Sequence, residues 1–405
     1  MSDTLYIGGT WRPASDGKTF DVENPADESV LASVCDATAD DAADAIAAAA
    51  KVQDEWGHST VGERARLLRE LHAALTENAE EFARTISAES GKPLAEACGE
   101  VAYGAQFLTW YADQATQLLH GEHYTDPSGS IRILTSRRPV GPSLLITPWN
   151  FPLAMITRKL APALAAGCTA VIKPAEQTPL TAIRLVELLA DRDVPAGVVN
   201  LLTSERPVQV SEAIFVSPAL RKVSFTGSTS VGATLLRAAA PGIVSSSMEL
   251  GGNAPLIVFD DAGPSALDEV MIAKLRNTGQ SCIAANRLLV QSSIADDFTD
   301  ALARRFAGMT AGTDFGPLID GRAVAKVTAM VSEAETFGAR VVFRGTVPDG
   351  PGYYYPPTVL ADVPKDCALY RSEIFGPVAT VTPFGSEDEA VALANDTEAG
   401  LAGYV

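Results

Sequence analysis

The sequence predicts an α/β protein whose core is a parallel sheet covered by helices on both faces. Three observations carry that prediction. Short, continuously apolar runs recur from Val140 onward: Leu144-Leu145-Ile146, Ala170-Val171-Ile172, Val198-Val199-Asn200-Leu201-Leu202 and Lys222-Val223-Ser224-Phe225. Stretches of helical spacing, Leu153–Ala166 and Thr178–Leu189, separate the first of them. Strands buried on both faces read this way, without polar alternation. A second series opens near Leu256-Ile257-Val258-Phe259. At 405 residues the chain exceeds one ordinary core, so two domains or more are expected.

The elements follow in order. Residues 5–35 read as short strands, with Gly8-Gly9 and Asp16-Gly17 as turns. Residues 38–119 read as helices. Thr38-Ala39-Asp40-Asp41 supplies a cap with acids in the first turn. Residues 120–138 break the helical pattern with His120-Gly121-Glu122 and Asp126-Pro127-Ser128-Gly129. Ile131-Arg132-Ile133-Leu134-Thr135 alternates like a strand and predicts a β-ribbon leaving the main body. The alternating β and α units then begin. Glu387–Asn395 reads as a helix, and Gly400–Val405 as the opening of a strand, so the last domain reads as incomplete.

Composition narrows the function. Hydrophobic residues make up 47% and charged residues 20%, as in a globular chain. The net charge is −19 and the pI about 4.6, a surface that repels phosphate backbones. Nucleic-acid and anionic-membrane partners are therefore poor candidates. Met1-Ser2-Asp3-Thr4 has no basic region followed by an apolar one, and no apolar run is long enough to span a bilayer. The five cysteines, Cys35, Cys98, Cys168, Cys282 and Cys367, are scattered and show no metal-ligand spacing. That favours a reducing, cytoplasmic setting and no metal site.

Several short runs carry chemistry. Cys282 ends Arg276-Asn277-Thr278-Gly279-Gln280-Ser281-Cys282, and Glu249 opens Glu249-Leu250-Gly251-Gly252-Asn253. A nucleophilic thiol needs a base, and all four histidines lie in the first third of the chain. Glu249 is therefore the better candidate, and its glycine pair reads as a hinge for a carboxylate that moves. Ile283-Ala284-Ala285-Asn286 reads as a helix whose N-terminus lowers the thiol pKa. Asn150, in Pro148-Trp149-Asn150-Phe151-Pro152, can donate to an oxyanion; alone it also suits a turn. Lys173-Pro174-Ala175-Glu176 follows a strand, where ribose hydroxyls bind, or is a solvated loop. Phe225-Thr226-Gly227-Ser228-Thr229-Ser230-Val231-Gly232 offers backbone N–H groups to a diphosphate, or is an ordinary helix cap.

Together with Glu373-Ile374-Phe375-Gly376-Pro377, these runs resemble the NAD(P)-dependent aldehyde dehydrogenases, in order and over nearly the whole chain. The resemblance implies a Rossmann-like cofactor domain, 1–119 with 139–248, a β-ribbon for oligomerisation, 120–138, and a catalytic domain, 249–405. It implies that Cys282 is the nucleophile, that Asn150 and the Cys282 N–H hold the oxyanion, and that Glu249 activates water. Lys173 and Glu176 would hold the adenosine ribose, Gly227 and Ser228 the diphosphate, and Glu373 the nicotinamide ribose. Phe375 would pack by the nicotinamide, with Trp149 and Leu250 also lining the cofactor. NAD is expected over NADP, because Glu176 would repel a 2′-phosphate. A homo-dimer or homo-tetramer is implied.

Within that family the chain is similar to succinate-semialdehyde dehydrogenases. There, arginines at the positions of Arg158 and Arg276 grip the substrate's distal carboxylate, although each could instead cap a helix facing solvent. Other semialdehydes or aliphatic aldehydes remain alternatives, as does a chain that binds nucleotide without turnover. The resemblance also implies that such enzymes continue several dozen residues past Val405. That part supplies the end of the catalytic domain, pocket residues including a serine, and a strand of the oligomerisation sheet. The segment Ala307–Thr313 is shorter than usual. Ala284 stands where some members carry a second cysteine, so a redox switch there is not expected.

Overall fold

The structure, a computed structural model, describes residues 4–118 and 120–405. The opening residues Met1–Asp3 and the predicted helix end at Leu119 lie outside the described residues. The chain forms two compact units. The first holds the residues up to Glu23, Val30–Glu89 and Ala97–Glu249; the second holds Asn24–Ser29, Ser90–Glu96 and Leu250–Val405. Residues 24–29 and 90–96, read from sequence as part of the first domain, thus cluster with the second.

The helices of the first unit start where the sequence supplies caps. Thr38 accepts the Asp41 N–H at 3.2 Å, and the Asp41 carboxylate accepts the Thr38 N–H at 2.9 Å, closing a reciprocal box at the head of the Ala39–His58 helix. Thr60 and Glu63 repeat the device for Val61–Glu77. Asp41 also accepts the Ser15 N–H and hydroxyl, which ties the helix to the N-terminal strands.

A seven-stranded sheet runs through this unit in the order Ser245–Glu249, Lys222–Thr226, Ser143–Ile146, Ala170–Lys173, Val199–Leu201, Leu5–Ile7, Thr10–Arg12. The first five are parallel, and the N-terminal hairpin adds on antiparallel. Alternate residues serve opposite layers. Leu145, Ile172 and Leu201 pack with the Val61–Glu77, Pro152–Ala166 and Leu180–Ala190 helices. Leu144, Val171 and Val223 pack with Ala39–His58 and Pro207–Phe215. From Ser143–Ile146 the chain moves outward through two strands, then returns to the other side of that same strand with Lys222–Thr226. This reversal is the topological switch at which such sheets bind ligands.

The predicted ribbon is present as His123–Thr125 paired antiparallel with Arg132–Leu134. Tyr124, Ile131 and Leu134 on it are exposed.

The second unit has a five-stranded sheet in the order Ala254–Val258, Ala285–Gln291, Val378–Phe384, Thr358–Ala361, Arg340–Arg344; only the last joins antiparallel. The Ala266–Leu275 and Ala295–Ala307 helices share one apolar cluster with it, and Gly321–Thr336 a second. One sequence expectation fails here. Ile283–Asn286 is not a helix: residues 281–284 turn, and Ala285 already opens a strand. Buried on every residue from Ala285 to Val290, that strand occupies the middle of the sheet, and burial overrides the alanine propensity. Residues 400–405, expected to open a strand, form none; they make a single isolated bridge. Tyr404 bridges in parallel to Leu256 on the open edge of Ala254–Val258. No helix among the described residues is long and apolar enough to cross a membrane.

Candidate active site

In the first unit the singled-out residues gather at one edge of the sheet, beyond the carboxyl ends of the parallel strands. Lys173 ends its strand, Glu249 ends another, Gly227 follows Thr226, and Asn150 follows Ser143–Ile146 by a short turn. Register makes them neighbours: Ile146 pairs with Lys173 and with Phe225, and Thr226 pairs with Glu249.

Asn150 is buried, as its aromatic flanks predict, and Trp149 is half-buried. Two turns into the next helix, the half-buried Arg158 donates to the Tyr103 hydroxyl at 2.5 Å and lies over the Phe107 ring at 5.3 Å. A guanidinium carries five donors, so an oriented one retains a fork for an anion. The reading of Arg158 as a solvent-facing helix end is not what the structure shows.

Lys173 is buried, donates to the Pro174 carbonyl at 3.0 Å, and lies 3.6 Å from Glu176. Burial lowers its pKa, and Glu176 opposes the fall. Gly227 donates its N–H to the Glu249 carbonyl, and a Cβ on it would meet the Phe225 ring at 2.5 Å. Ser228 caps the Thr229–Ala239 helix, accepting from Val231, and its surroundings are exposed. Glu249 is exposed.

Sequence reading passed over Lys159. It is buried, donates to Ser224 at 3.0 Å, and burial pushes its pKa down to about 8, with the Glu249 charge opposing. A lysine in that state can exchange a proton near neutral pH beside the proposed base. Its signal was available: a charge on the inward face of an otherwise apolar helix.

In the second unit the corresponding residues lie before the amino ends of strands. Leu250–Asn253 precedes Ala254–Val258, Cys282 precedes Ala285–Gln291, and Glu373 and Phe375 precede Val378–Phe384. Gly251 and Gly252 let the first of these segments approach the other two. The Gly252 N–H donates to Glu373 at 3.3 Å, a Cβ on Gly251 would lie 2.9 Å from that carboxylate, and a Cβ on Gly252 would lie 2.4 Å from the Cys282 carbonyl. Neither glycine has positive φ. The pair permits close approach in this conformation.

Cys282 is half-buried in a turn, and the helix expected to start beside it is not formed. Its approach is strained instead. Asn277, Thr278 and Gly279 have φ of 54°, 57° and 75°, and Phe375 has 60°. Left-handed backbone is rare for a β-branched residue such as Thr278 and persists only where surroundings hold it. Here Thr278 Oγ1 accepts the Gly316 N–H at 2.8 Å, and Gln280 accepts the Ile319 N–H at 3.0 Å while donating to the Pro317 carbonyl. Arg276 is exposed on the wall of a cavity of about 540 Å³, with Ser281, Ile283 and Tyr404.

Glu373 is raised by burial, against the Gly252 bond and the charges of Lys326 and Lys274. Lys274 was also missed: it is fully buried, its ammonium has no hydrogen-bond partner among the described residues, and burial lowers it to about 7.

The first unit by itself offers what the phosphates and ribose of a dinucleotide require: an exposed helix N-terminus at a sheet switch point and, two strands over, the Lys173–Glu176 pair. The second unit places a carboxylate beside a glycine pair.

Residues 11–405 match the profile of the Aldehyde dehydrogenase family. The chain is 47% identical to a succinate-semialdehyde dehydrogenase of Paenarthrobacter nicotinovorans, over 93% of this chain and 85% of that protein. It is 44% identical to a glutarate-semialdehyde dehydrogenase of Pseudomonas aeruginosa, over 98% and 84%. The crystal structure of an NADP-dependent enzyme of E. coli superposes with a TM-score of 0.96 at 42% identity, covering 99% of this chain and 85% of that one. The fold, a Rossmann-like sheet and a catalytic sheet, is the one these enzymes share, and the chain belongs to the aldehyde dehydrogenase family.

Proposed function

We propose that this chain oxidises succinate semialdehyde to succinate. The observation that supports the substrate is Arg158, oriented by Tyr103 and Phe107; the resemblance to succinate-semialdehyde dehydrogenases implies a grip on a distal carboxylate for this arginine. Arg276, exposed at its cavity wall, is proposed as the second grip. Both relatives named for semialdehydes are named for substrates that carry such a carboxylate.

The Cys282 thiolate adds to the aldehyde carbon, and the Asn150 amide with the Cys282 N–H takes the charge on oxygen. Lys173, Glu176, Gly227, Ser228 and Glu373, with Trp149, Leu250 and Phe375 alongside, would hold NAD(P), which when bound would accept the hydride from the aldehyde carbon. The acyl group is left as a thioester on Cys282. Glu249 takes a proton from water, which attacks the thioester; the acid departs and the thiolate returns. The exposed apolar side chains of the 123–134 ribbon support a homo-dimer or homo-tetramer. Five cysteines without a disulfide suit a cytoplasmic enzyme.

The test is Arg158→Ala and Arg276→Ala on succinate semialdehyde and on butanal. A lost charged hydrogen bond costs about 1.5–3 kcal/mol, so each variant should lose about tenfold to a hundredfold, mainly in KM, on the acid alone. Equal losses on both aldehydes would remove the carboxylate grip. A higher kcat/KM for glutarate semialdehyde would move the assignment to the longer acid.

A further inference from the structure

One short stretch, Glu89-Ser90-Gly91-Lys92-Pro93-Leu94-Ala95-Glu96-Ala97-Cys98-Gly99-Glu100, carries three carboxylates that sit away from water. Glu89 and Glu100 are buried and Glu96 is half-buried. Burying a carboxylate is costly unless its oxygens are hydrogen-bonded. Each of these accepts from a backbone N–H far along the chain.

The Pro152–Ala166 helix has no cap of its own: the residue before it is Phe151. Pro152 has no N–H, so Leu153 and Ala154 carry the first donors of the helix. Both go to Glu100, at 2.9 and 3.3 Å. A carboxylate there also faces the positive end of the helix dipole. Asn150 lies immediately before this clamped turn. The Leu180–Ala190 helix likewise has no side-chain cap, with Pro179 before it. Glu89 accepts the Leu180 N–H at 2.7 Å, the Thr181 N–H at 3.1 Å and the Thr181 hydroxyl. The loop holding Lys173 and Glu176 leads into this turn. Glu96 accepts the Asn277 N–H at 2.5 Å, where the left-handed run before Cys282 begins. Burial raises Glu96, and raises Glu89 to about 8, so neither is a spare surface charge.

We propose that Glu89, Glu96 and Glu100 are positioning residues, one for each working loop: the Lys173–Glu176 loop, the Cys282 loop and the Asn150 turn. This rests on the roles proposed above for those loops. It differs from a general stabilising role because each carboxylate governs a different measurable step.

The experiment takes the Ala and Gln variants of all three and measures the dissociation constant for NAD by calorimetry without aldehyde, the pre-steady-state NADH burst at saturating NAD, and alkylation of Cys282 by iodoacetamide. Losing such bonds costs about tenfold to a hundredfold. Glu89→Ala is expected to weaken NAD binding by that factor and leave alkylation unchanged. Glu100→Ala slows the burst with NAD binding and alkylation intact, and Glu96→Ala changes both alkylation and burst but not NAD binding. Glu100→Gln, whose amide oxygen can accept both bonds, restores most of the burst, whereas Glu89→Gln restores NAD binding only in part because it loses one acceptor.

Parallel losses of all three readouts and of melting temperature, without this division, would overturn the proposal. So would Ala variants that behave as wild type. Asn150→Ala separates the two layers of the argument. A normal burst in Asn150→Ala removes the oxyanion role itself; an abolished burst there beside a normal one in Glu100→Ala removes only the positioning role.

Discussion

The two units set up their working residues in opposite ways. The first places Asn150, Lys173, Gly227 and Glu249 after the carboxyl ends of parallel strands, and none has a left-handed backbone. The second places Cys282, Glu373 and Phe375 before the amino ends of strands, reached through left-handed residues at Asn277, Thr278, Gly279 and Phe375. Regular topology positions the first set at no conformational cost. The second set is held against a local preference, so its geometry depends on the side chains that hold it: Glu96, Thr278 and Gln280.

The largest expected effect falls in the second unit. Cys282→Ala should abolish aldehyde oxidation while NAD binding, measured by calorimetry, stays within a small factor of wild type, because the thiol forms the covalent bond and is not a main cofactor contact. Substantial turnover in the purified variant would mean that the strained loop serves something other than a nucleophile. Next comes Glu249→Gln in the first unit. General-base assistance is worth about 10²–10⁴-fold, so steady-state turnover should fall within that range while a burst of NADH survives. Loss of the burst itself would place Glu249 earlier, at activation of the thiol.

The same contrast decides what was legible in the sequence. The apolar strand runs fix where strands end, and Asn150, Lys173 and Gly227 stand at or just past those ends, so their shared edge could be read; Glu249 ends the polar strand Ser245–Glu249, which no apolar run announces. The turn before Cys282 could not. Thr278 is a residue type that argues against φ of 57°, and alanines after the cysteine suggested a helix where burial makes a strand. Gly251 and Gly252 announced backbone freedom, but not the room they leave for Glu373 and the Cys282 carbonyl. The carboxylates of 89–100 were invisible for another reason. On a helix a charge reads as solvated face, and the donors that Glu89, Glu96 and Glu100 satisfy lie far along the chain.

Gly279→Ala probes the strained side directly. With φ of 75° and the Gly376 carbonyl 2.3 Å from an added Cβ, it forces backbone to move. Strain alone should cost about 1–3 kcal/mol, read as a lower melting temperature and a slower burst. A variant as stable and as fast as wild type would show that the loop is not held.

Glu89 gives a smaller effect, in the first unit. Its pKa is raised from 4.5 to about 8, first by burial and further by Glu100, against its hydrogen bonds to Leu180 and Thr181. The folded protein therefore binds this proton more tightly than the unfolded chain does. Its contribution to stability is fully present below about 4.5 and is lost as pH rises toward about 8. Glu89→Gln cannot lose that proton, so its melting temperature should fall less than that of wild type across this window. Identical slopes would mean that Glu89 does not titrate there.

The smallest effect concerns cofactor choice. Glu176 is half-buried and paired with Lys173 at the carboxyl edge of the sheet, where acidic residues of dinucleotide folds bond the ribose 2′-OH. A 2′-phosphate would meet the same carboxylate, and Lys173 would offset part of the repulsion. NAD should therefore give the higher kcat/KM, by a modest factor, and Glu176→Gln should narrow the gap by improving NADP rather than by weakening NAD. The similar E. coli structure is that of an NADP-dependent enzyme, so the fold itself does not exclude a 2′-phosphate. A wild-type preference for NADP, or a Glu176→Gln variant with an unchanged ratio, would take Glu176 off the 2′ position and leave the Lys173 loop as a contact to the ribose alone.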